Sequence, residues 1–268
     1  MLKNLYSNGS SLTAGGGLYE QGNKNEYKRL YNIEWDNEKD VTYPKYVADH
    51  FNLKLIHDAE CGSGAPRLVR RTCEYIENVG LDKAKETLFT FEITDPIHRI
   101  DMFCKEINDH VIVNVRYDDN ANLTDLSVVY SYSPTNRPYD NDMFKGEIEN
   151  NVRNYLNNFH NPVTYSNKFA GELIGLFSFM ERMNLQFYYM FENEFLRNPY
   201  KLLYKELDKK HKIIIDGDCT SSSHFCLKNK LTIKDELKDF TGDTHPGYFG
   251  YLKFADVIKQ NISGRSII

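Results

Sequence analysis

Short apolar runs alternate along the chain with amphipathic segments and with turns rich in glycine, asparagine or proline. The run Thr87–Ile93 (TLFTFEI) is typical of a central strand buried on both faces. Apolar runs predict further strands at 3–8, 53–57, 111–117, 186–191 and 212–216. Helical spacing predicts helices at 43–51, 68–79, two within 145–184, one near 194–207 and one at 248–262. Segment 19–40 lacks clean periodicity and is interpreted as a long loop.

This alternation of strands and helices predicts a three-layer α/β/α sandwich with right-handed crossovers. A single domain spanning 1–268 is the simplest organisation, with an insertion around 118–160 that begins in a polar stretch. Within the long helical region, apolar side chains at helical spacing predict one packed face: Phe169, Leu173, Leu176, Phe177 and Met180. Cys73 is predicted to contact the core from the helix at 68–79.

Composition and charge exclude several classes of protein. The 268 residues are 41% apolar and 13% aromatic, which excludes wholesale disorder. With 33 basic and 38 acidic side chains the net charge is −5, so we expect no nucleic-acid partner. The basic cluster of Arg67, Arg70 and Arg71 is interpreted as a solvated helix face, with Arg67 the best candidate for a substrate contact.

The cysteines and the first residues indicate a reducing compartment. Five cysteines, with no CxxC pair, do not suit a disulfide framework or a zinc ribbon, although one bridge such as Cys219–Cys226 stays open. The spacing of Cys219, His224 and Cys226 fits no common metal site, so we expect no metal. Residues 1–6 do not resemble a signal peptide, and the apolar run 173–180 is shorter than the ~20 residues of a membrane span. We therefore expect a cytoplasmic protein without a membrane partner, with export by a route without a signal peptide left open.

The glycine-rich turn Gly9–Gly17 follows the first predicted strand and has two interpretations. It could cradle phosphate, but the Lys-Ser/Thr of a P-loop is missing and GxGxxG does not fit. Alternatively, Ser11 is a nucleophile at the strand end, which requires a histidine oriented by a carboxylate. A third possibility is structural, with Ser11 as the N-cap of a helix that begins at Leu12.

The turn Asp243–Gly247 (DTHPG), just before the last predicted helix, supplies such a histidine. Asp243 and His245 are two residues apart, so the acid can lie beside the imidazole. The alternative is that His245 is an ordinary surface residue of this turn.

Four stretches, in order, resemble the SGNH (GDSL) hydrolase superfamily. Gly9–Thr13 (GSSLT) resembles its GDSL(T) nucleophile block, and Asp243–Gly247 followed by Phe254-Ala255 resembles its terminal Asp/His block and closing helix. Residues 43–48 and 55–62 are similar to the family's "WP-x-x-LA … N-x-A-x-x-G" passage, and residues 92–95 (EITD) stand where the family carries Gly-x-Asn-Asp. The resemblance thus spans both ends of the chain.

The resemblance implies a mainly parallel, flavodoxin-like five-stranded sheet and a catalytic set. Ser11 would be the nucleophile, His245 the general base and acid, and Asp243 the group that orients the imidazole. The backbone amides of Ser11 and Gly62 would bind the oxyanion, Thr94 would replace the usual asparagine, and Arg67 would face the substrate.

The sequence departs from the family pattern in the same blocks. Ser10 replaces the aspartate of GDSL, and Thr94 replaces the third-block asparagine. The terminal block is Asp-x-His rather than Asp-x-x-His, which leaves Asp239 as a substitute for Asp243.

The function implied is a serine esterase that hydrolyses a small acyl ester, such as an O-acetyl carbohydrate, without a cofactor. Two alternatives remain open, an O-acyltransferase on the same scaffold and a catalytically weak binding or structural protein. The compact motif set is also similar to that of virus-encoded members, for which the host cytoplasm or the virion would be the location. The oligomeric state is left open.

Overall fold

A computed structural model describes residues 1–61, 63–94, 99–104, 109–117, 123–130, 142–159, 161–191, 200–215, 221–238 and 243–264. The strands are β1 (Asn4–Asn8), β2 (Lys54–His57), β3 (Thr87–Ile93), β4 (Arg99–Cys104), β5 (Asp109–Tyr117), β6 (Leu123–Tyr130) and β7 (Gln186–Phe191). The helices are α1 (Ser11–Ala14), α2 (Gln21–Tyr31), α3 (Tyr43–His50), α4 (Ala65–Val79), α5 (Leu81–Ala84), α6 (Asp142–Phe159), α7 (Pro162–Arg182), α8 (Lys201–His211), α9 (Ser222–Asn229), α10 (Ile233–Leu237) and α11 (Tyr248–Ser263), with a 3-10 helix at Glu38–Val41.

Four parallel strands form the central sheet in the order β2-β1-β3-β7. Beyond β7, a parallel bridge joins Tyr189 to Lys212, and the Ile213 N–H donates to the Tyr189 carbonyl at 2.8 Å. Counted along the chain the order is 2-1-3-4-5, which is the flavodoxin-like order. The predicted α/β fold is therefore confirmed. Of the fifth strand predicted at 212–216, the described residues form only this bridge.

The two faces of the central sheet are covered by separate groups of helices, because successive strand residues point to opposite sides. On one face, side chains of the sheet pack against α3, α9 and α11: Leu5, Leu88, Tyr188 and Met190. On the other face, side chains pack against α4, α7 and α8: Tyr6, Phe89, Phe91, Phe187, Tyr189 and Phe191. The predicted packed face of α7 is confirmed, since all five of its apolar side chains are buried.

A second, antiparallel sheet of order β4-β5-β6 lies between β3 and α6 in the chain. The strand predicted at 111–117 exists but belongs to this sheet rather than to the parallel one. Arg70 of α4 pairs with Asp101 of β4, with Nε 2.6 Å from Oδ2, and so joins the antiparallel sheet to a helix that packs on the central sheet. The antiparallel sheet begins at Arg99, ahead of the insertion predicted at 118–160, and the single-domain assignment stays a prediction.

The loop predicted at 19–40 is wrong, because the segment contains α2 and the 3-10 helix. Only Asn23 and Tyr27 of α2 are buried, so the apolar stripe was too narrow to indicate a helix. Cys73 is also exposed rather than in the core. The helix predicted near 194–207 is α8, which spans 201–211, and residues 192–199 lie outside the described part of the chain. No helix that the structure describes is long and apolar enough to span a bilayer.

The strand order places the topological switch point of the sheet between β1 and β3. The chain passes from β1 to β2 on one side and then to β3 on the other. At such a switch point the connections that leave the two neighbouring strands run in opposite directions. Ligands of open α/β sheets bind between these connections, outside the carboxyl ends of the strands. Ser11 follows β1 and Thr94 follows β3, so the fold brings these two predicted residues to the same edge of the sheet.

Candidate active site

Ser11 is the first residue of α1, immediately after the turn that ends β1. The preceding residue, Ser10, has extended backbone, and its Oγ accepts a hydrogen bond from the Leu12 N–H at 3.4 Å. The suggestion that Ser11 is the N-cap is therefore wrong, because Ser10 occupies that position. The Ser11 hydroxyl instead lies 3.2 Å from His245 Nε2.

Asp243 contacts His245 at two points. Its Oδ1 lies 2.8 Å from the imidazole Nδ1 and accepts from the backbone N–H of His245 at 2.9 Å. Partial burial opposes ionisation of Asp243, but the hydrogen bonds from the side chain and backbone of His245 prevail and lower the pKa of the carboxyl. In the tautomer with the proton on Nδ1, the imidazole donates to the Asp243 carboxylate, and the Nε2 lone pair accepts from the Ser11 hydroxyl.

Two glycines allow the loop after α1 to approach this pair of residues. A Cβ on Gly16 would lie 2.8 Å from His245 Cδ2 and 2.9 Å from Ser11 Cβ. Gly17 has a φ of +79°, and a Cβ there would collide with the Asp243 carboxylate. The sequence predicted a glycine-rich turn but missed these contacts, for which the run of three glycines at 15–17 was the available signal.

The turn that carries Asp243 and His245 is bound to the start of α10. The Ile233 N–H donates to the His245 carbonyl at 2.9 Å, and the Lys234 N–H donates to the Asp243 carbonyl at 3.0 Å. These N–H groups belong to the first turn of a helix and have no acceptor within it. The positions of both side chains therefore depend on α10, which sequence reasoning had not identified.

Thr94 connects the end of β3 to the loop that follows β2. Its Oγ1 donates to the Ser63 carbonyl at 3.1 Å, and Arg99 Nη1 donates to the same oxygen at 3.1 Å. Ser63 in turn donates from its Oγ to the Gly9 carbonyl at 2.6 Å. The participation of Thr94 in oxyanion binding stays a prediction, and Gly62 and the alternative acid Asp239 lie outside the described residues.

Arg67 is buried, so the interpretation of the arginine cluster as a solvated face is wrong for this residue. The side chain is 6% exposed, and its Nη1 donates to the Asp58 carbonyl at 2.7 Å. Nη2 lies 2.8 Å from Glu60 Oε2. These contacts stabilise the loop between β2 and α4. A contact of Arg67 with substrate stays a prediction.

Sequence reasoning missed Glu92, a fully buried carboxylate at the end of β3. Its Oε2 accepts from Thr13 Oγ1 at 2.7 Å. Its Oε1 accepts from the N–H and the hydroxyl of Ser222, at 3.1 and 2.6 Å. Since Thr13 belongs to α1, Glu92 fixes the helix that carries Ser11. The signal was an acid inside an otherwise uncharged strand.

The described residues contain no group of three or more histidine, cysteine or acidic side chains that could hold a metal ion. Cys61, Cys73 and Cys226 are not in disulfides, and Cys219 lies outside the described part of the chain. By contrast, a hydroxyl, an imidazole and a carboxylate within hydrogen-bond reach of one another have the geometry of nucleophilic catalysis.

No protein-family model matches the sequence, and no curated protein matches it. Among solved structures, the esterase EstA from Pseudoalteromonas sp. aligns over 98% of this chain and 97% of its own, with 11% identity and a TM-score of 0.46. A putative lipolytic protein of the G-D-S-L family from Desulfitobacterium hafniense DCB-2 aligns over 97% and 99%, with 9% identity and a TM-score of 0.44. The acetylxylan esterase Axe2 from Geobacillus stearothermophilus aligns over 97% and 94%, with 14% identity and a TM-score of 0.41. At these identities and scores, function has to be argued from the residues of this chain.

Proposed function

We propose that this protein is a serine esterase of the SGNH/GDSL type that hydrolyses a small acyl ester through an acyl-enzyme. The observation that carries the proposal is the continuous connection from Ser11 Oγ to His245 Nε2 at 3.2 Å and from His245 Nδ1 to Asp243 Oδ1 at 2.8 Å. The three residues lie at opposite ends of the sequence, and a surface turn alone would not require them to meet.

In the first half-reaction, Ser11 Oγ attacks the ester carbonyl while His245 Nε2 takes the hydroxyl proton. Asp243 accepts from Nδ1 and stabilises the imidazolium that forms. The tetrahedral intermediate collapses as the C–O bond to the alcohol breaks, and the imidazolium donates its proton to the departing oxygen. In the second half-reaction, His245 Nε2 takes a proton from water as the water oxygen attacks the acyl-enzyme carbonyl. The bond from the carbonyl carbon to Ser11 Oγ then breaks, the imidazolium returns the proton to Oγ, and the acid is released.

The developing oxyanion needs hydrogen-bond donors that are already in place. Ser11 is the first residue of α1, so its backbone N–H has no hydrogen-bond acceptor within that helix. We assign this group as one donor, with the Gly62 N–H as a further candidate. The Thr94 hydroxyl would become a third donor by turning away from the Ser63 carbonyl, which would keep its hydrogen bond from Arg99 Nη1. One such donor is worth roughly 3 kcal/mol of transition-state stabilisation.

The substrate class rests on the resemblance of the GSSLT and DTHPG blocks to the family. It implies a small acyl ester, with an O-acetyl group on a carbohydrate as the leading candidate. EstA, the G-D-S-L family protein and Axe2 all have esterase or lipolytic names, which agrees with an ester substrate but does not distinguish an O-acetyl carbohydrate from other esters.

The proposal is tested by Ser11→Ala, with Ser10→Ala as the matched control. On p-nitrophenyl acetate we expect Ser11→Ala to lose at least about 10³-fold in kcat, because the nucleophile is removed. Ser10→Ala removes only the N-cap, so it should lose about 1 kcal/mol of stability and remain active. Mass spectrometry of protein treated with a fluorophosphonate should find one adduct, on Ser11.

Full activity of Ser11→Ala would overturn the assignment of the nucleophile. A folded wild-type protein that reacts with neither reagent would instead favour the weak binding or structural protein. Product analysis with and without a sugar acceptor distinguishes hydrolysis from acyl transfer, since only transfer moves the acyl group to the acceptor hydroxyl.

A further inference from the structure

Helix α11 begins three residues after His245, and its first turn has no capping side chain of its own. The N-cap residue is Gly247, which offers no side-chain acceptor. The first backbone N–H groups of a helix lack partners within it and need acceptors from elsewhere. Gly247 and Gly250 are buried and Tyr248 and Phe249 are half-buried, and the acceptors come from the protein.

Tyr27 and Glu236 supply all three acceptors. The Tyr248 N–H donates to the Tyr27 hydroxyl oxygen at 3.1 Å. The Phe249 N–H donates to Glu236 Oε2 at 3.1 Å, and the Gly250 N–H donates to Glu236 Oε1 at 2.8 Å. The Tyr27 hydroxyl in turn donates to Glu236 Oε2 at 2.7 Å, which joins the two side chains into one cap.

This cap fits closely beneath the turn that carries His245. A Cβ on Gly247 would collide with the Glu236 carboxyl, so the glycine is what allows the carboxylate to reach the helix. Glu236 belongs to α10, the helix whose first turn also binds the carbonyls of His245 and Asp243. The same short helix therefore binds the turn that carries Asp243 and His245 and also the start of α11 that follows it.

We propose that Tyr27 and Glu236 are positioning residues, which set the orientation of His245 toward Ser11 by capping α11 from a distance. This inference rests on the proposed function and goes beyond it, because neither side chain touches Ser11, His245 or a substrate. If the cap is lost, the start of α11 can move, and the imidazole moves with it. A displacement of about 1 Å at a reacting group can cost on the order of 100-fold in rate.

Tyr27→Phe tests the proposal, and Tyr31→Phe is its matched control. Both tyrosines belong to α2 and both hydroxyls bond Glu236, but Tyr31 donates to the backbone carbonyl at 2.5 Å and does not reach α11. We expect Tyr27→Phe to lower kcat about tenfold with KM within about twofold, because orientation and not substrate binding is impaired. The rate of fluorophosphonate labelling of Ser11 should fall by the same factor, while Tyr31→Phe matches the wild type in both assays.

The same series includes Ser11→Ala and Glu236→Gln, and circular dichroism checks that each variant is folded. If Ser11 is required but Tyr27→Phe behaves like Tyr31→Phe, the positioning proposal is overturned and the proposed function stands. If Ser11→Ala keeps its activity, both fall together. Should Tyr27→Phe fail to fold, a folded Glu236→Gln with reduced kcat and unchanged KM would support the proposal. Unfolding of both, with Tyr31→Phe folded, would overturn it in favour of a stabilising role.

Discussion

Ser10 and Ser11 are adjacent in the sequence, yet their hydroxyls have different partners. Ser10 has extended backbone and turns its Oγ toward the Leu12 N–H, whereas Ser11 is already helical and turns its Oγ toward His245. A difference of one residue at the start of a helix thus separates a structural hydroxyl from a candidate nucleophile. At the other end of the chain, the Asp-x-His spacing brings Asp243 Oδ1 to both the backbone N–H and the Nδ1 of His245.

Asp243→Asn should reduce activity while leaving the fold intact. An amide can donate to Nδ1, which favours the tautomer with the proton on Nε2, and that tautomer cannot take the proton of Ser11. We expect kcat on an acetyl ester to fall on the order of 10³- to 10⁴-fold. Steady-state kinetics of Asp243→Asn and Asp239→Asn decide between the two acids. Loss of activity in Asp239→Asn together with near-normal Asp243→Asn would assign the orienting role to Asp239.

At the scale of elements, the site depends on a close approach between the loop after α1 and the turn before α11. Gly16 lies against Ser11 and His245, and Gly17 lies against Asp243. Neither position has room for a side chain, and Gly17 also has a positive φ that disfavours other residues. The glycine run therefore sets the distance between two elements that are far apart in the sequence.

Gly16→Ala should impair catalysis, because its methyl group would displace His245 or Ser11. Displacement by about 1 Å predicts a loss in kcat on the order of 100-fold. Gly175→Ala is the control, since Gly175 lies on an exposed face of α7 with open space around it. That substitution should keep full activity and gain about 0.5–1 kcal/mol of stability from the better helix propensity of alanine. Kinetics and thermal melts of both variants check this pair, and a fully active Gly16→Ala would contradict the close approach.

At the scale of the whole molecule, Glu92 joins three segments from different parts of the sequence. It lies in the central strand β3 and accepts hydrogen bonds from Thr13 near the start of the chain and from Ser222 near its end. Thr13 Oγ1 also lies 3.0 Å from the hydroxyl of Tyr43, which is buried on α3. Because these donors are buried, each needs its acceptor for the fold to be stable.

Glu92→Gln should lower the free energy of unfolding of the whole protein, which should still unfold in a single transition. Glutamine keeps one acceptor oxygen and turns an NH₂ toward groups that donate, so a loss of about 1–3 kcal/mol is expected. Glu86→Gln removes the same charge from an exposed residue that pairs with Lys3, and it should leave the midpoint of unfolding unchanged. The unfolding of both variants can be followed by circular dichroism and by the fluorescence of Trp35, the single tryptophan, which packs against Tyr27 and Tyr248.

Coincident transitions by the two probes would support the single-domain prediction for residues 1–268. Transitions that separate, with only one of them shifted by Glu92→Gln, would contradict it.

Much of the architecture was predictable because its signals are local. The apolar run TLFTFEI identified β3, the helical spacing of Phe169 to Met180 identified α7, and the order of these patterns predicted the α/β class. The helix α2 was missed because most of its side chains are solvated. The burial of Arg67 was not predicted, because its partners Asp58 and Glu60 come close to it only when the chain folds back after β2.

The sequence by itself determined the alternation of strands and helices, the glycine-rich turn at Ser11 and the Asp-x-His turn at residue 243. These features depend on residue type and spacing, which are properties of a short stretch of chain. Only the tertiary structure decided that His245 reaches Ser11 across 3.2 Å and that Tyr27 and Glu236 cap α11. Each of these contacts joins elements that meet only after the parallel sheet has formed, so no local pattern could encode them.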